Sequence, residues 1–556
     1  MTKNCSNHKK YKPFENVQIV NRKWPDKTIE AAPIWCSVDL RDGNQALINP
    51  MSKAQKLEFF KLLVKCGFKE IEVGFPSSNQ TEFDILRELI EGNYIPDDVT
   101  IQVLVQCREH LIVKTFEAIK GAKNAIIHFY NSTSRLQREV VFEKDQQGIT
   151  DIAVKGARLI KDLSKNVTDT NLRFEYSPES FSGTEIDFAV EICNKVMQEI
   201  GATKENKIIL NLPATVEMST PNRFADQIEY FCENLKNREA AIISVHTHND
   251  RGTGIAAAEM AILAGAQRVE GTLFGNGERT GNTDIITLAL NMLTQGINPE
   301  LNFSNIHEIR KIYEESTGLL VHERHPYAGD LVFTAFSGSH QDAINKGILK
   351  MQKSSSNEWA VPYLPIDPKD VGREYEPLIR INSQSGKGGA AFILRSLGYD
   401  LPKKMHMEFG EIITKNCDEK GSELSVDDVL KIFEDEYINA PGITLSKQRV
   451  TDCCESGELV KYEGTLTDKS GEIRIVGEGV GPLDAFFNAV KGLNIDEYEF
   501  VDYSQHAISQ GSDSKAVAYV ELKNTNGKSV YGVGVSGNTT RASVRGILSA
   551  INRDSK

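Results

Sequence analysis

Two histidines separated by one residue, His246 and His248, close the apolar run AIISVHTH at 241–248. In an extended strand, residues i and i+2 point to the same side. Both imidazoles can therefore ligate one divalent cation. Asp42, in the stretch DLRDGNQ at 39–45, offers a hard oxygen, and Asn282, at the end of GNGERTGN, offers an amide oxygen. Imidazole, carboxylate and amide oxygen together suit Mn²⁺, Mg²⁺, Zn²⁺ or Fe²⁺ and not a closed thiolate zinc site. An isolated H-x-H is equally well read as two histidines satisfied by hydrogen bonds. The ligand reading gains from Asp42, Glu179 and Asn282 falling at the same rim. Arg41 stands beside the carboxylate. It reads either as a cation facing a developing oxyanion or a substrate carboxylate, or as a salt-bridge partner of Asp39 or Glu72.

These residues need a scaffold that gathers distant strand ends. Short β-rich runs begin at IWCSVDL (34–40) and continue with KEIEVGF (69–75), TIQVLVQ (100–106), NAIIHFY (124–130), NLRFEYS (171–177), KIILNLP (207–213), AIISVHTH (241–248) and RVEGTLFG (268–275). Segments with helical spacing lie between them. In 52–66, Leu57, Phe60, Leu63 and Val64 share a helical spacing, and Ser52 with Gln55 forms a capping box. NTDIITLALNMLT (282–294) closes the series. Eight strand–helix units in roughly 260 residues match a (β/α)₈ barrel of about 250. A doubly wound open sheet is the competitor, but the Gly-rich turn it often carries is absent after 34–40. In a barrel, the C-terminal strand ends carry the chemistry. Asp42, His128, Ser177, Glu179, Asn211, Pro213, Thr215, His246, His248 and the 275–282 loop all fall there.

The predicted organisation is an N-terminal arm over 1–33, the α/β barrel over 34–295, mostly helical linker subdomains over 296–424, and an α+β domain over 425–556. The last contains two related β-rich units, each ending in a helix (LDAFFNAVKGL and TTRASVRGILSAIN), a weak internal repeat. The chain has 556 residues, 40% of them hydrophobic and 25% charged, as in ordinary soluble domains. A formal net charge of −13 argues against nucleic-acid binding. No apolar stretch is long enough to span a membrane, and the N-terminus lacks the apolar core of a signal peptide. Nine cysteines with no C-x-x-C pair fit a reducing cytoplasm.

DLRDGNQ, HTHND (246–250) and GNGERTGN resemble the 2-isopropylmalate synthases, within the metal-dependent acyl-CoA Claisen condensation enzymes and lyases built on a barrel. SGSHQDAINKG (337–347), YLPIDPKDVGREYE (363–376) and NSQSGKGG (382–389) are similar to the long form of that synthase. The resemblance runs from about 14 to 553. It implies condensation of acetyl-CoA with 2-oxoisovalerate and thioester hydrolysis to 2-isopropylmalate, the first committed step of leucine biosynthesis. It also implies a homodimer, a divalent cofactor (Mg²⁺ or Mn²⁺, with Zn²⁺ compatible) and activation by K⁺. By the same resemblance Asp42, His246 and His248 ligate the metal, and Asn282 binds it or a water on it. Arg41 stabilises the enolate or alkoxide, and Glu179 is a catalytic or orienting carboxylate. His340 and Tyr375 come from the middle region and reach the barrel of a partner subunit. Leu104, His128, Ser177, Pro213 and Thr215 line the keto-acid pocket. Glu179 and His340 are both able to act as base, with His340 preferred.

The family's C-terminal domain binds leucine as feedback inhibitor, and Leu483, Asp484, Tyr503 and Ala507 match that site. Turn and helix-cap structure accounts equally well for those residues. GEGVGP (477–482) lacks the context of a nucleotide loop. NSQSGKGG lacks phosphate-loop spacing and reads as a turn before a helix. Homocitrate and citramalate synthases and the reverse lyases share the metal rim. Homocitrate synthesis would need a cation for a second carboxylate, whereas Leu104 and the small residues near Ser177 leave room for an isopropyl group. A metal-binding scaffold without catalysis is the reading from another class; the intact rim, with Arg41 and Glu179, argues against it.

Overall fold

A computed structural model of the chain describes residues 19, 21–335, 338–354, 358–375, 386–420, 424–453, 459–491, 493, 497–509, 511 and 513–555. Most of the arm, and 382–385 of NSQSGKGG, lie outside them. Two compact units emerge: residues 1–333 with 366–374, and residues 334–365 with 375–556.

The first unit is a closed barrel of eight strands in sequence order. They are β1 (Ile34–Ser37), β2 (Glu70–Gly74), β3 (Thr100–Gln106), β4 (Asn124–Ser132), β5 (Asn171–Glu179), β6 (Ile208–Ala214), β7 (Ala241–Thr247) and β8 (Arg268–Gly271). All neighbours are parallel, and β1 closes on β8 with Ile34 opposite Arg268. The helices that follow are α1 (Lys53–Cys66), α2 (Gln80–Glu91), α3 (Glu109–Ala118), α4 (Gln146–Ser164), α5 (Ile186–Ile200), α6 (Pro221–Asn234), α7 (Gly254–Leu263) and α8 (Ile285–Leu293). The Ser52–Gln55 capping box forms, satisfying amides that the first helical turn of α1 leaves free. That helix buries Phe59, Phe60, Leu62, Leu63 and Cys66, while Leu57 and Val64 are only half-buried. Its apolar face is wider than the predicted stripe because α9 (Ile306–Thr317) covers it from the other side, with Tyr313 against Phe59.

Strand lengths depart from the sequence reading in an informative way. β1 stops at Ser37 because the amides of Arg41, Asp42 and Gly43 all turn back onto the Val38 carbonyl in a π-helical turn over Asp39–Gly43. β8 stops at Gly271, where a Cβ would come within 2.5 Å of the Thr283 carbonyl. β4 and β5 instead run two residues further than expected, pairing Ser132 with Glu179. The described end of the arm is fastened to α6: Trp24 is buried and its indole donates to Asp226, which also pairs with Arg22 at 2.6 Å.

The region 296–424 is divided between the units rather than forming one linker. The second unit holds α10 (Gly338–Lys353), α11 (Gly386–Ser396), α12 (Met405–Lys420) and α13 (Val426–Phe433). It then repeats one motif. β9 (Thr444–Asp452), β10 (Leu459–Asp468) and β11 (Gly471–Val480) form an antiparallel sheet followed by α14 (Pro482–Ala489). β12 (Glu499–Ala507), β13 (Ala516–Lys523) and β14 (Ser529–Ser536) form another, followed by α15 (Thr539–Asp554). Tyr462 and Phe486 of the first copy share a core with Val520, Leu522 and Ile547 of the second. The opposite face of the second sheet, with Val517, Tyr519 and Val533, packs on Phe409 and Phe433 of α12 and α13. Among the described residues, no helix is long and apolar enough to cross a membrane.

Candidate active site

The π-helical turn after β1 aims Asp42 inward, and the period of two along β7 sends His246 and His248 to the same side. The ligating atoms of these three residues all lie within 4.8 Å of one another. Asp42 Oδ2 is 3.6 Å from His246 Nε2 and 3.8 Å from His248 Nε2. That oxygen is buried and has no hydrogen-bond partner, a costly arrangement for a carboxylate unless something else occupies the space. Asn282 adds its Oδ1 at 2.9 Å from His246 Nε2, and its amide is oriented by donating to the Asn276 carbonyl at 2.9 Å. Gly281, at φ +98°, makes that orientation attainable: a Cβ there would lie 1.9 Å from the Gly275 carbonyl. Two imidazole nitrogens, a carboxylate oxygen and an amide oxygen converge. The set fits a divalent cation of the harder or borderline kind.

The electrostatics follow from burial and proximity. Burial alone would raise the Asp42 carboxyl, but Arg41 and the two imidazoles hold it well below the usual carboxylate range. Burial works against a charged His246, yet Asp42 and Glu270 lift it to about 9. His248 is pushed down to about 4 by burial and by its charged neighbour.

Arg41 donates from Nε to Glu72 at 2.5 Å and from Nη1 to Asp42. Of the two salt bridges considered from sequence, the one with Glu72 forms. Asp39 is otherwise engaged, accepting from the Ser37 hydroxyl at 2.8 Å and the Leu273 amide at 3.0 Å. Glu72 also accepts from His128 Nδ1 at 2.7 Å, and His128 Nε2 meets the Ser177 hydroxyl at 2.7 Å. Glu179 accepts from the Ser132 hydroxyl, a contact that depends on the lengthened ends of β4 and β5.

A cavity of about 160 Å³ opens on this cluster. Arg41, Asp42, Leu104, His128, Ser177, Glu179, Pro213, Thr215, His246 and His248 line it, so the barrel gathers all of these predicted site residues. The lining also includes Asn211, Glu278 and Arg279, which the sequence places at the rim without a specific role, and Tyr130, which it passes over. Tyr130 was detectable in principle, since it stands two residues after His128 on one strand face. The Arg279 guanidinium is held by Asp250 at 2.6 Å and by the Thr215 carbonyl.

His340 and Tyr375 belong to the second unit. His340 is exposed on α10 with its ring stacked on Tyr363 at 4.1 Å. The Tyr375 hydroxyl is buried without a hydrogen-bond partner. The four residues matched to an effector site lie near the helix of the first repeat and the edge strand of the second. Asp484 caps the Val480 amide at 2.9 Å, and Leu483 and Tyr503 pack on the shared core. The Tyr503 hydroxyl bonds Ser543 at 2.7 Å, and Ala507 is exposed at the end of β12.

Residues 32–312 match the HMGL-like family, 330–395 the alpha-isopropylmalate synthase post-catalytic domain-like family, and 423–554 the LeuA allosteric (dimerisation) domain. The 2-isopropylmalate synthase of Clostridium acetobutylicum is 54% identical over 98% of this chain and 99% of its own length. That of Acetoanaerobium sticklandii is also 54% identical, over 98% of this chain and 97% of its own. Among solved structures, the HMG-CoA lyase of Brucella melitensis aligns with 52% of this chain and 100% of that one, at 15% identity and a TM-score of 0.42. With relatives this similar along nearly its whole length, the chain belongs to the 2-isopropylmalate synthase family, acyltransferases that convert the acyl group to alkyl on transfer.

Proposed function

We propose that this chain condenses acetyl-CoA with 2-oxoisovalerate and hydrolyses the thioester, releasing 2-isopropylmalate and CoA, as the first committed step of leucine biosynthesis. The observation that carries the reading is the meeting, in one cavity, of the Asp42–His246–His248 cluster, the Arg41 guanidinium and an apolar wall made by Leu104 and Pro213. A divalent ion held by Asp42, His246 and His248, with Asn282 beside them, would supply Lewis acidity to the ketone of a bound 2-oxo acid.

The remaining steps belong to the chain's own residues. Ser177 and His128 form a hydrogen-bonding floor that orients the oxo acid, and Leu104 and Pro213 accept its isopropyl group. A proton leaves the acetyl methyl of acetyl-CoA for a base, a role we assign to His340 acting with a carboxylate or water. The enolate carbon then bonds to the ketone carbon, and negative charge moves to the ketone oxygen. Arg41 faces that charge, and Glu72 holds the guanidinium in place, so little reorganisation accompanies it. The alkoxide takes up a proton, and water then cleaves the thioester into carboxylate and thiol. Tyr375 completes the set as an orienting hydroxyl. A second carboxylate on the substrate would need a free cation. The other guanidinium on the lining, Arg279, is already engaged by Asp250, which favours a branched apolar side chain.

The match to an allosteric dimerisation domain supports two further parts of the reading. The chain works as a homodimer, and leucine binds near Leu483, Asp484, Tyr503 and Ala507 as feedback inhibitor. The test is thiol release from acetyl-CoA with Mg²⁺ or Mn²⁺ across a panel of 2-oxo acids, with and without leucine. The expected result is fastest release with 2-oxoisovalerate and slowing by leucine. Faster release with pyruvate or 2-oxoglutarate would overturn the substrate assignment.

A further inference from the structure

Beneath the cavity floor sits Glu270 of β8, fully buried. Its carboxylate meets four donors. Oε2 accepts from His246 Nδ1 at 2.9 Å and from Asn211 Nδ2 at 3.0 Å. Oε1 accepts from Arg268 Nη1 and Gln102 Nε2, both at 2.9 Å. None of these donors is free to change sign cheaply at the Oε1 end. Arg268 has no acceptor atom. Gln102 is oriented because its own Oε1 takes a hydrogen bond from Arg268 Nη2 at 2.7 Å. Arg268 in turn is fixed by Glu70 at 2.6 Å and Ser244 at 2.8 Å.

A carboxylate can only accept, so when a cation takes the place of one His246 proton, the proton that stays must sit on Nδ1. That leaves Nε2 without a proton on the cage side, 2.9 Å from Asn282 Oδ1 and 3.6 Å from Asp42 Oδ2, where its lone pair can be given to a cation. The other histidine of the cage has no such support: His248 Nδ1 is buried without a partner. One imidazole is therefore pinned in the ligating tautomer and the other is not.

We propose that Glu270 is the positioning residue that makes His246 a metal ligand, by holding the proton on Nδ1 and the ring in its orientation. The inference rests on the reading of Asp42, His246 and His248 as a cation cage. Glu270→Gln separates charge and tautomer from volume. Arg268 and Gln102 present only donors, so the amide oxygen of the variant must turn to them and its NH₂ must face His246 and Asn211, whose amide can turn its unpartnered Oδ1 toward it. Nδ1 then becomes the acceptor, the proton moves to Nε2, and that nitrogen no longer offers a lone pair to a cation.

The experiment is titration of the metal-stripped full-length chain with Mn²⁺, counting free ion by electron paramagnetic resonance. Wild type, Glu270→Gln, Glu270→Asp and His246→Ala are compared. In parallel, ¹⁵N-histidine NMR of the Mg²⁺-loaded protein reads which ring nitrogen carries the proton. The expected result is tight binding to wild type, none at this site in His246→Ala, and a loss of roughly 10–100-fold in Glu270→Gln. The His246 proton signature should move from Nδ1 to Nε2 in that variant. Glu270→Asp keeps the negative charge beside Arg268 but withdraws it from His246, and a smaller loss is expected. If Glu270→Gln does not fold, the Asp variant decides the matter: wild-type affinity there overturns the proposal. Wild-type affinity and tautomer in Glu270→Gln, with binding still lost in His246→Ala, would also overturn it while leaving the cage standing. Wild-type binding by His246→Ala would instead remove the cage reading itself.

Discussion

Inside the barrel the strands turn Glu70, Glu72, Gln102, His128, Glu175, Arg268 and Glu270 toward one another, all buried. Among the sheets and helices of the C-terminal repeat, the enclosed space is filled by Leu445, Tyr462, Phe486, Val520, Leu522, Ile547 and Leu548. Both regions obey the same alternation of side chains along a strand. They differ in what the enclosed face is for. The repeat uses its interior to hold itself together, and its hydrophobic contacts are non-directional and interchangeable within limits of volume. The barrel takes its cohesion from the apolar layer between strands and helices, with Phe59, Phe129, Phe181 and Phe231 fully buried. Its innermost space is thereby free for groups that must be oriented. One guanidinium is shared among the acids there: Arg268 reaches Glu70 at 2.6 Å, Glu270 at 2.9 Å and Glu175 at 3.3 Å. Glu175 is the member pushed well above the ordinary carboxylate range, chiefly by its burial, with Glu270 and Glu72 adding to the effect against Arg268.

That contrast can be broken or sharpened by substitution. The largest effect is expected at the cage. His248→Ala should lower condensation by about 10³-fold or more while circular dichroism and the melting profile stay as in wild type, because metal-assisted polarisation supplies several kcal/mol. Near-normal turnover would refute the metal role. Next comes the charge beneath it. Arg268→Met leaves three buried carboxylates without their common partner and should destabilise the barrel unit by about 3–5 kcal/mol, read as a lowered urea midpoint. A neutral outcome would mean that the interior charges are not mutually dependent. The smallest effect belongs to the repeat. Ile547→Val removes one methylene from the shared core and should cost about 0.5–1.5 kcal/mol, with no change in the KM for 2-oxo acid. A catalytic defect from that change would erase this division of labour.

The same contrast explains which parts of the molecule were readable beforehand. The rim was readable because its residues combine rare types with a spacing that geometry constrains: His246 and His248 across one strand pleat, Asp42 directly after a short apolar run, Asn282 at the end of a glycine-rich loop. The closed barrel was readable because eight apolar runs of similar length recur with helical segments between them. The layer below was opaque. Glu70, Glu72 and Glu270 alternate with apolar residues in KEIEVGF and RVEGTLFG, and that pattern looks the same whether the acidic face meets water or the inside of a closed barrel. Only the arrangement of Arg268, Gln102 and His128 around them tells the two apart. Tyr130 went unassigned for a related reason: an aromatic residue closing the apolar run NAIIHFY is ordinarily core, and only its spacing of two from His128 set it apart. The division of 296–424 was opaque because helical periodicity reports that a face is covered and not by what.

The pairing of β1 with β8 has a consequence for how the protein comes into being. Asp42 enters on one side of that seam, and His246, His248 and Asn282 enter on the other, from the end of β7 and the loop after β8, at the far end of the barrel's sequence. No partial barrel contains the complete cage. On the reading of these residues as a cation cage, a newly made chain would acquire ion-binding capacity only at the moment the ring shuts, after the entropy of joining its remote ends has been overcome. A cation held there would act as a clasp on the last join, so starvation for metal should show first as fraying between the opening strand and the final one.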